Sequence, residues 1–557
     1  MVANKITGKS AFIALLKDEG ITHMFGNPGT TELPIMDALT EHSDMNYFMS
    51  MQESLVVYMA EGYSRSTQKL SACNVHVAPG LGNAMGAIYA AKFANTPIII
   101  TAGQQEQGHG LTEPLLYDPL VRIAEPLVKW ATEVTRLEDL PRIVRRAAKI
   151  ALSPPMGPVF ISLPGDILNS EANLDLGSRT RVINDTAPNL RLIFKILQRI
   201  KSVKNPVIIA GHEVATHNCL TEAAEFSSLI GAPVYQQTVQ FGSHFLSEHS
   251  NFMGALNRNQ KQVRDILSEF DLLIVLGADV LRMSVWSEVE PLPTGMPIIQ
   301  IGLNDWEMGK NFPTELAIRA NVKETLISLN NELKSPNNDE FRKKSEIKNT
   351  SFKNKNWTFK RQNLVEKLKQ DIKGIKKIHP SWMIKMIVDI MHKDSIIVEE
   401  GLLSTRDISN LLPYRNSTSL IGMASGGIGW AVPAACGIQS AFKNRDVIAI
   451  IGDGSSMYSI QALWTAANQK LPVTFIICDN GGYGIIKERL HDFHQNKKFI
   501  GMDFKDPEVD FVSLGRSLGV DSVLIETYNQ FEIEFKRAIS NKNSPNLLCV
   551  KVKSGRF

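Results

Sequence analysis

The sequence predicts an α/β fold with three doubly wound domains, each built on a parallel sheet. Two observations lead to this prediction. Short apolar runs with strand character alternate with helical patterns along nearly the whole chain, which is typical of parallel sheets covered by helices. The chain of 557 residues is also long enough for about three domains with a core each.

Two domains are predicted before residue 334. The first spans 1–185, with buried strands expected at 71–77, 97–102 and 159–163. The second spans 189–333, with strands expected at 205–211, 271–280 and 296–302. The second domain has no Gly-x-Gly-x-x-Gly fingerprint, so the sequence does not support a bound dinucleotide.

A polar, lysine-rich segment follows at 334–377, and we predict that it is a linker with a surface helix. An interaction site is the alternative interpretation. The third domain is predicted at 378–557 and opens with a helix near Pro380, because proline suits the first turn of a helix.

Charge and composition exclude several classes of partner. The formal net charge is only +3 and, apart from 334–377, the basic residues are dispersed, so neither nucleic acid nor a membrane surface is indicated. Lysines interrupt the apolar residues at the N-terminus and no run is long enough to span a bilayer, so we expect a cytoplasmic protein. The five cysteines occupy apolar contexts without Cys-x-x-Cys spacing, which predicts reduced, buried thiols.

The segment 446–484 is the most informative part of the chain. The apolar run at 447–451 predicts a strand, and a glycine turn around Asp453 interrupts it. A helical pattern and a second buried strand at 471–478 follow. In a right-handed βαβ unit the carboxyl ends of the two strands lie side by side, so Asp453 and Asn480 should meet at one sheet edge.

A carboxylate and an amide beside a helix N-terminus predict a site for a metal and a phosphate. Free N–H groups at a helix start favour an anion, whereas Mg²⁺ prefers a few oxygen ligands and completes its octahedron with phosphate oxygens and water. A diphosphate meets both requirements, because it is an anion for the helix start and a source of oxygen ligands for Mg²⁺. A strand-end turn with a capping Asp is the structural alternative.

Several motifs resemble one family. Gly-Asp-Gly-Ser at 452–455, followed one helix and one strand later by Asn-Gly, resembles the thiamine-diphosphate motif of the 2-oxo acid decarboxylase and acetolactate synthase superfamily. The resemblance covers nearly the whole chain and looks most like the benzoylformate decarboxylases. It includes FGNPGTTELP at 25–34, MQES at 51–54, NVHVAPGLGNAMGA at 74–87, TAGQQ at 101–105 and ASGGIGWAVPAA at 424–435.

The resemblance implies a cofactor, a metal and an assembly. Thiamine diphosphate would be held with Mg²⁺, for which Ca²⁺ can substitute, and FAD is not expected in the second domain. In the family the cofactor lies between the first domain of one subunit and the third domain of another. A homodimer is therefore the smallest assembly implied, and a homotetramer is the commoner one.

The resemblance also implies roles for individual residues. Glu53 would share a proton with the pyrimidine ring of the cofactor, and His76 would transfer protons during the reaction, with Thr30 nearby. Ile428 would support the bent cofactor, and Gly426 would offer its backbone carbonyl to the amino group of the pyrimidine. A surface glutamate and a structural histidine are the alternative interpretations of Glu53 and His76.

The metal and phosphate ligands are implied by the same motifs. The metal would be bound by the side chains of Asp453 and Asn480 and by the carbonyl of Gly482. Besides the metal ligands, the motifs imply that four more residues contact the diphosphate end of the cofactor, namely Gly452, Gly454, Ser455 and Tyr483.

The predicted substrate pocket departs from the family pattern. Thr30 stands in place of a serine, and Ser284 stands where the relatives have a second histidine, so Ser284 cannot be a proton carrier of the same kind. His109 is a further candidate for that role. The remaining residues predicted to line the pocket are Ile485, Ile486 and Arg489.

Arg489 stands where the relatives have an aromatic residue. A guanidinium can bind a carboxylate or phosphate with two hydrogen bonds, so we predict that Arg489 meets a polar or anionic group of the substrate. The alternative is that it faces solvent or pairs with Glu488, Asp492 or Glu113.

These features predict a thiamine-diphosphate and Mg²⁺-dependent lyase that decarboxylates a 2-oxo acid to an aldehyde and CO₂. One alternative is a carboligase of the acetolactate synthase type, which joins the decarboxylated unit to a second carbonyl compound. The other is a homologue that binds the cofactor without turnover.

Overall fold

A computed structural model describes residues 5–374, 377–553 and 555. The chain divides into two compact units. The first contains Met1–Val182, Val398–Ser404 and Met423–Phe557, and the second contains Ile183–Ile397 and Thr405–Gly422. Within the described ranges, no helix has the length and apolar character needed to cross a membrane.

Three six-stranded parallel sheets flanked by helices confirm the predicted fold class. The first sheet contains, from edge to edge, Asn46–Met49, His23–Gly26, Ser71–Val75, Ile98–Gln104, Val159–Pro164 and Ala131–Glu133. The second contains Phe252–Ala255, Val234–Gln236, Pro206–Ala210, Leu272–Leu276, Ile298–Gly302 and Leu316–Arg319. The third contains Leu420–Gly422, Ile396–Glu400, Val447–Gly452, Thr474–Asp479, Asn546–Lys551 and Asp521–Ile525. A separate antiparallel pair joins Lys5–Thr7 to Glu171–Asn173.

The first and third sheets have the same topology. When the strands of each sheet are numbered along the chain, both sheets have the order 2-1-3-4-6-5, whereas the second has the order 3-2-1-4-5-6. In all three the strand order reverses next to the first strand, and such a reversal opens a crevice at the carboxyl ends of the strands.

The strands of the second sheet are buried on both faces. Along Pro206–Ala210, Val207 and Ile209 belong to one hydrophobic cluster, and Ile208 and Ala210 belong to another. Successive side chains of a strand point to opposite faces, so helices cover this sheet on both sides, and this explains its continuous apolar runs.

The helices of the first unit alternate with the strands of the first and third sheets. They are Gly8–Asp18, Leu33–Thr40, Glu53–Thr67, Val77–Phe93, Leu120–Ala124, Leu140–Leu152, Gly165–Asn169, Ala431–Ala441, Asp453–Ser456, Ala462–Asn468, Gly484–His494, Phe511–Ser517 and Tyr528–Ser540. Those of the second unit are Leu190–Lys201, His212–Thr216, Leu220–Ile230, Gln260–Leu267, Val322–Leu333, Asp339–Ser351, Trp357–Asp371, Pro380–Ile390 and Ile408–Leu411.

The segment 334–377, predicted as a linker with a surface helix, is helical over Asp339–Ser351 and Trp357–Asp371. The Trp357 side chain is buried in the core of the second unit, and its Nε1–H donates to the carbonyl of Ser409 at 2.8 Å. Residues 375 and 376 lie outside the described part of the chain. Part of this lysine-rich segment is therefore helical and packed onto a folded unit, and the lysines on the two helices are Lys343, Lys344, Lys348, Lys360, Lys367 and Lys369.

Two helices of the first unit pack backbone to backbone. A Cβ atom added to Gly62 of helix Glu53–Thr67 would collide with Ala434, and one added to Gly437 of helix Ala431–Ala441 would collide with Met59. Next to this contact, the indole N–H of Trp430 donates to the buried carboxylate of Glu61. Small residues thus let the helix that begins at Glu53 lie directly against the helix that follows the 426–430 turn.

Candidate active site

The structure brings Asp453 and the loop around Asn480 together at one sheet edge. Strands Val447–Gly452 and Thr474–Asp479 pair in parallel, with Gly452 opposite Cys478. Asp453 begins a short helix directly after the first strand, and Asn480 directly follows the second. This is the arrangement that the βαβ pattern predicts.

The Asp453 carboxylate accepts hydrogen bonds from the backbone of the loop that contains Asn480. Its Oδ2 accepts hydrogen bonds from three consecutive N–H groups, those of Asn480 at 3.2 Å, Gly481 at 2.8 Å and Gly482 at 3.0 Å. Its Oδ1 accepts from the N–H of Gly454 at 2.8 Å. Burial raises the pKa of Asp453 to about 6, although these N–H donors oppose the rise.

Glycine is required at Gly482. Its φ is +151°, and an added Cβ would collide with the carbonyl of Met502. The next residue, Tyr483, donates its N–H to the same carbonyl at 2.9 Å, and its ring packs edge-on against Phe504. The loop is thus held between Asp453 and the segment 502–504.

The side chains at this edge fit a magnesium diphosphate. Within the described part of the chain, no group of three or more His, Cys, Asp or Glu side chains could hold a metal. Asp453 and Asn480 instead offer a carboxylate and an amide oxygen, which suit Mg²⁺ only if phosphate oxygens and water complete the shell. The turns also leave space, because a Cβ added to Gly481 or Gly426 would meet no atom within 4 Å.

Glu53 is a buried first residue of helix Glu53–Thr67. Its Oε1 accepts from the side-chain amide of Asn27 at 3.2 Å, and its Oε2 accepts from that of Asn83 at 3.1 Å. Each oxygen thus accepts from one amide donor, which suits a carboxylate. The side chain is only 7 % exposed, so the alternative of a surface glutamate does not hold in this chain.

His76 lies at the N-terminus of helix Val77–Phe93, directly after the buried strand Ser71–Val75. Its Nδ1 lies 2.7 Å from Oε2 of Glu32. A Cβ added to Gly29 would collide with the imidazole ring, so Gly29 lets the chain pass close to it. The neighbouring Thr30 side chain is exposed.

Glu32 is a residue that the sequence reasoning missed. It is fully buried and also accepts from the N–H groups of Gly29 at 3.0 Å and Gly103 at 2.8 Å, and from the hydroxyl of Thr31 at 2.8 Å. The only local signal is a glutamate three residues after Gly29, which is the spacing of a capping box. These three donors make Glu32 a fixed support for His76.

Glu400 is a second missed residue, and it holds the turn that carries Ile428. Its carboxylate accepts from the N–H of Gly429 at 2.5 Å and from that of Ala431 at 2.6 Å. Complete burial raises the pKa of Glu400 to about 8, opposed by these donors. Ile428 is half-buried, and Gly426 has a positive φ of +82°.

The residues predicted to line the substrate pocket are mostly exposed, and their common role stays a prediction. Ile486 and Arg489 are exposed on helix Gly484–His494, and Ile485 is half-buried. His109 is exposed, with its Nδ1 3.2 Å from the Thr112 hydroxyl. Ser284 is exposed and belongs to the second unit.

Comparisons with known proteins address the same regions. Family models of thiamine pyrophosphate enzymes match three segments of the chain. These are the N-terminal TPP binding domain at 6–115, the central domain at 193–329 and the C-terminal TPP binding domain at 404–550. The chain belongs to the thiamine pyrophosphate enzymes.

This thiamine pyrophosphate enzyme matches its relatives over nearly its full length. Benzoylformate decarboxylase of Pseudomonas aeruginosa is 28% identical over 540 residues, which cover 96% of this chain and 97% of the relative. The large subunit of acetolactate synthase from Haemophilus influenzae is 24% identical, with coverage of 97% and 93%.

Solved structures of this enzyme family are also similar over the whole chain. A thiamine diphosphate-dependent 4-hydroxybenzoylformate decarboxylase of Rhodococcus jostii RHA1 has a TM-score of 0.87 at 28% identity, with coverage of 99% and 100%. A Mycobacterium smegmatis protein assigned as a thiamin diphosphate-dependent enzyme has a TM-score of 0.85 at 30% identity, with the same coverage.

Proposed function

We propose that this enzyme uses thiamine diphosphate and Mg²⁺ to decarboxylate a 2-oxo acid, releasing CO₂ and an aldehyde. The observation that carries the proposal is the contact between His76 and the buried Glu32. Cofactor-binding domains alone fit several reactions, but an oriented acid–base residue is what protonation and release of an aldehyde require.

The division of labour between cofactor and protein follows from their chemistry. When bound, thiamine diphosphate supplies a thiazolium carbon that bonds to the ketone and accepts the electrons left behind as CO₂ departs. The protein then has to bind and orient the cofactor and move protons. Asp453, Asn480 and Gly482 would hold Mg²⁺, and the Gly452–Ser455 turn would hold the diphosphate.

Glu53 would hold a proton at the ring nitrogen of the aminopyrimidine. Asn27 and Asn83 fix its two carboxylate oxygens, so the acid keeps one orientation. Glu400 holds the turn on which Ile428 would support the bent shape and Gly426 would offer its carbonyl to the amino group of the same pyrimidine ring.

His76 would exchange the proton with the substrate. Because Nδ1 contacts Glu32, Nε2 is the nitrogen available for this transfer. The exposed Thr30 hydroxyl would lie nearby and bind the substrate. We further propose that the first domain of one subunit and the third domain of another enclose the cofactor, in a homotetramer of cytoplasmic location.

A screen of 2-oxo acids for CO₂ release tests the proposal. Purified enzyme with thiamine diphosphate and Mg²⁺ would be given benzoylformate, pyruvate and an acidic 2-oxo acid, with the cofactor-free protein as control. Release of CO₂ with an equal amount of aldehyde is expected for at least one of them. Cofactor binding without any CO₂ release would favour the non-catalytic homologue.

A carboligase is the second candidate, because acetolactate synthases also match nearly the whole chain. Such an enzyme needs the same cofactor residues and differs in what reacts after CO₂ leaves. Product analysis with pyruvate alone, and with pyruvate plus an added aldehyde, separates the two. A carbon–carbon coupled product formed faster than free aldehyde would identify the carboligase.

A further inference from the structure

Asp479 and Lys551 are the last residues of two neighbouring strands of the third sheet. They are register partners in the parallel pair Thr474–Asp479 and Asn546–Lys551. The Nζ of Lys551 lies 2.7 Å from Oδ2 of Asp479, and the N–H of Val552 donates to the Asp479 carbonyl at 3.0 Å. The C-terminal strand is therefore tied to the residue that precedes Asn480.

The Asp479 carboxylate reaches the loop that Asp453 gathers. It is only 6 % exposed, and its Oδ1 accepts from the N–H of Gly481 at 3.1 Å. The same N–H donates to Oδ2 of Asp453 at 2.8 Å. Two buried carboxylates thus share one donor, and such a pair is costly unless a cation compensates one of them.

Lys551 is the cation that meets this second carboxylate. Its Nζ also lies 3.4 Å from Oε2 of Glu508, but the Glu508 side chain is 71% exposed. Water screens that outer contact, whereas the Asp479 side chain is almost completely shielded from solvent. The contact with Asp479 is consequently the one that acts on the loop.

We propose that Lys551 is a positioning residue for the loop 480–482, and that its ion pair with Asp479 sets the affinity of this loop for the diphosphate of the cofactor. The inference rests on the proposed function, because it takes the loop to hold Mg²⁺ and diphosphate. Without the lysine, Asp479 leaves an uncompensated negative charge beside a site that has to accept an anion. The carboxylate also loses the partner that directs its Oδ1 toward Gly481.

Calorimetric titration of thiamine diphosphate at saturating Mg²⁺ measures this effect. We expect Lys551→Met to weaken binding about tenfold or more, because the cofactor meets the uncompensated charge. Adding Asp479→Asn to Lys551→Met should return the affinity to within about threefold of wild type, because a neutral amide needs no cation. Glu508→Gln is the matched control, and it should bind within about threefold of wild type because it removes only the exposed partner.

Hydrogen–deuterium exchange of the cofactor-free protein gives an independent reading. Uptake in a peptide covering 479–487 should rise in Lys551→Met and fall back in the double variant, since the loop regains its order. If Lys551→Met does not fold, the same titration compares the affinity of the double variant for thiamine diphosphate with that of Asp479→Asn.

Three results would overturn the inference. The first is a Lys551→Met variant that binds thiamine diphosphate with wild-type affinity, and the second is a double variant that binds no better than Lys551→Met. The third applies if Lys551→Met does not fold, and it is a double variant that binds much more weakly than Asp479→Asn. A wild-type protein that binds no thiamine diphosphate in the presence of Mg²⁺ would instead refute the proposed function.

Discussion

The Nδ1 atom of His76 lies 2.7 Å from Oε2 of Glu32, a glutamate with no exposed surface. The two residues are separated by 44 positions in the chain. Their contact turns a histidine at a strand end into one with a fixed ring orientation and a defined nitrogen for proton transfer.

Replacing Glu32 tests this relationship. We expect Glu32→Gln to lower kcat by about tenfold or more, because the amide can donate to Nδ1 and so favour the wrong tautomer of His76. The affinity for thiamine diphosphate should stay within about threefold, since Glu32 is not among its ligands. Steady-state kinetics measure kcat and calorimetry measures the affinity for the cofactor. His76→Ala is the reference for complete loss of proton transfer by His76. An unchanged kcat would show that Glu32 only stabilises the fold.

Glu53→Gln should remove nearly all turnover while the cofactor still binds. The amide cannot share the pyrimidine proton, whereas the diphosphate residues remain intact. Single-turnover CO₂ release and calorimetric titration measure the two properties. Activity within about threefold of wild type would refute the role of Glu53, because general acid–base catalysis contributes more than that.

Asp453→Ala should abolish the joint binding of metal and cofactor. The substitution removes the proposed metal ligand and also the acceptor of the N–H groups of Asn480, Gly481 and Gly482. Titration of thiamine diphosphate with and without Mg²⁺ should show strong cooperativity in the wild type and little binding in the variant. Unchanged affinity in Asp453→Ala would contradict the site.

Arg489→Phe should shift substrate preference toward aromatic 2-oxo acids. Arg489 is exposed on helix Gly484–His494, so an anionic group of a substrate can reach its guanidinium. We expect the ratio of kcat/KM for benzoylformate to that for an acidic 2-oxo acid to rise about tenfold, the effect of losing one charged contact. His494→Phe, at the far end of the same helix, is the control. Efficient use of benzoylformate by the wild type, with no response to Arg489→Phe, would mean that Arg489 only faces solvent.

The stability of the second unit should depend on pH through Glu213. Its carboxylate accepts from the N–H groups of Leu303 at 2.8 Å and Asn304 at 3.3 Å, and burial, opposed by these donors, raises its pKa from 4.5 to about 7. The folded state then holds the proton more tightly than the unfolded state. The free energy of unfolding therefore falls as the pH rises from about 4.5 to about 7, by up to about 1.4 kcal/mol per pH unit.

Urea unfolding at pH 5 and pH 7 measures this dependence. Glu213→Gln removes the titrating group, so the difference between the two pH values should be smaller in the variant than in the wild type. Equal differences would assign the pH dependence to other groups. Burial also raises the pKa of Asp279, to about 6. The same two measurements on Asp279→Asn therefore show how much of the pH dependence belongs to Asp279.

The strands of the third sheet and the meeting of Asp453 with the loop 480–482 could be predicted because their signals are local. The apolar runs that end before Asp453 and Asn480 were long enough to indicate strands, and the right-handed crossover then placed both residues at one edge. The roles of Glu32 and Glu400 could not be predicted, because His76 is 44 positions from Glu32 and Gly429 is 29 positions from Glu400. The capping-box spacing at Glu32 indicates a helix start and not a buried partner for a histidine. The lysine-rich segment was predicted from its charge, but Trp357 anchors part of it in a core.

The close contact of Gly62 with Ala434 and of Gly437 with Met59 also limits how the enzyme can move. Glu53 begins one of these two helices, and the Ile428 turn precedes the other. With backbone against backbone, neither helix can slide or roll without a steric clash. Within one chain, the position at which Glu53 begins its helix is therefore coupled to the position of the Ile428 turn, and a displacement of either segment carries the other with it.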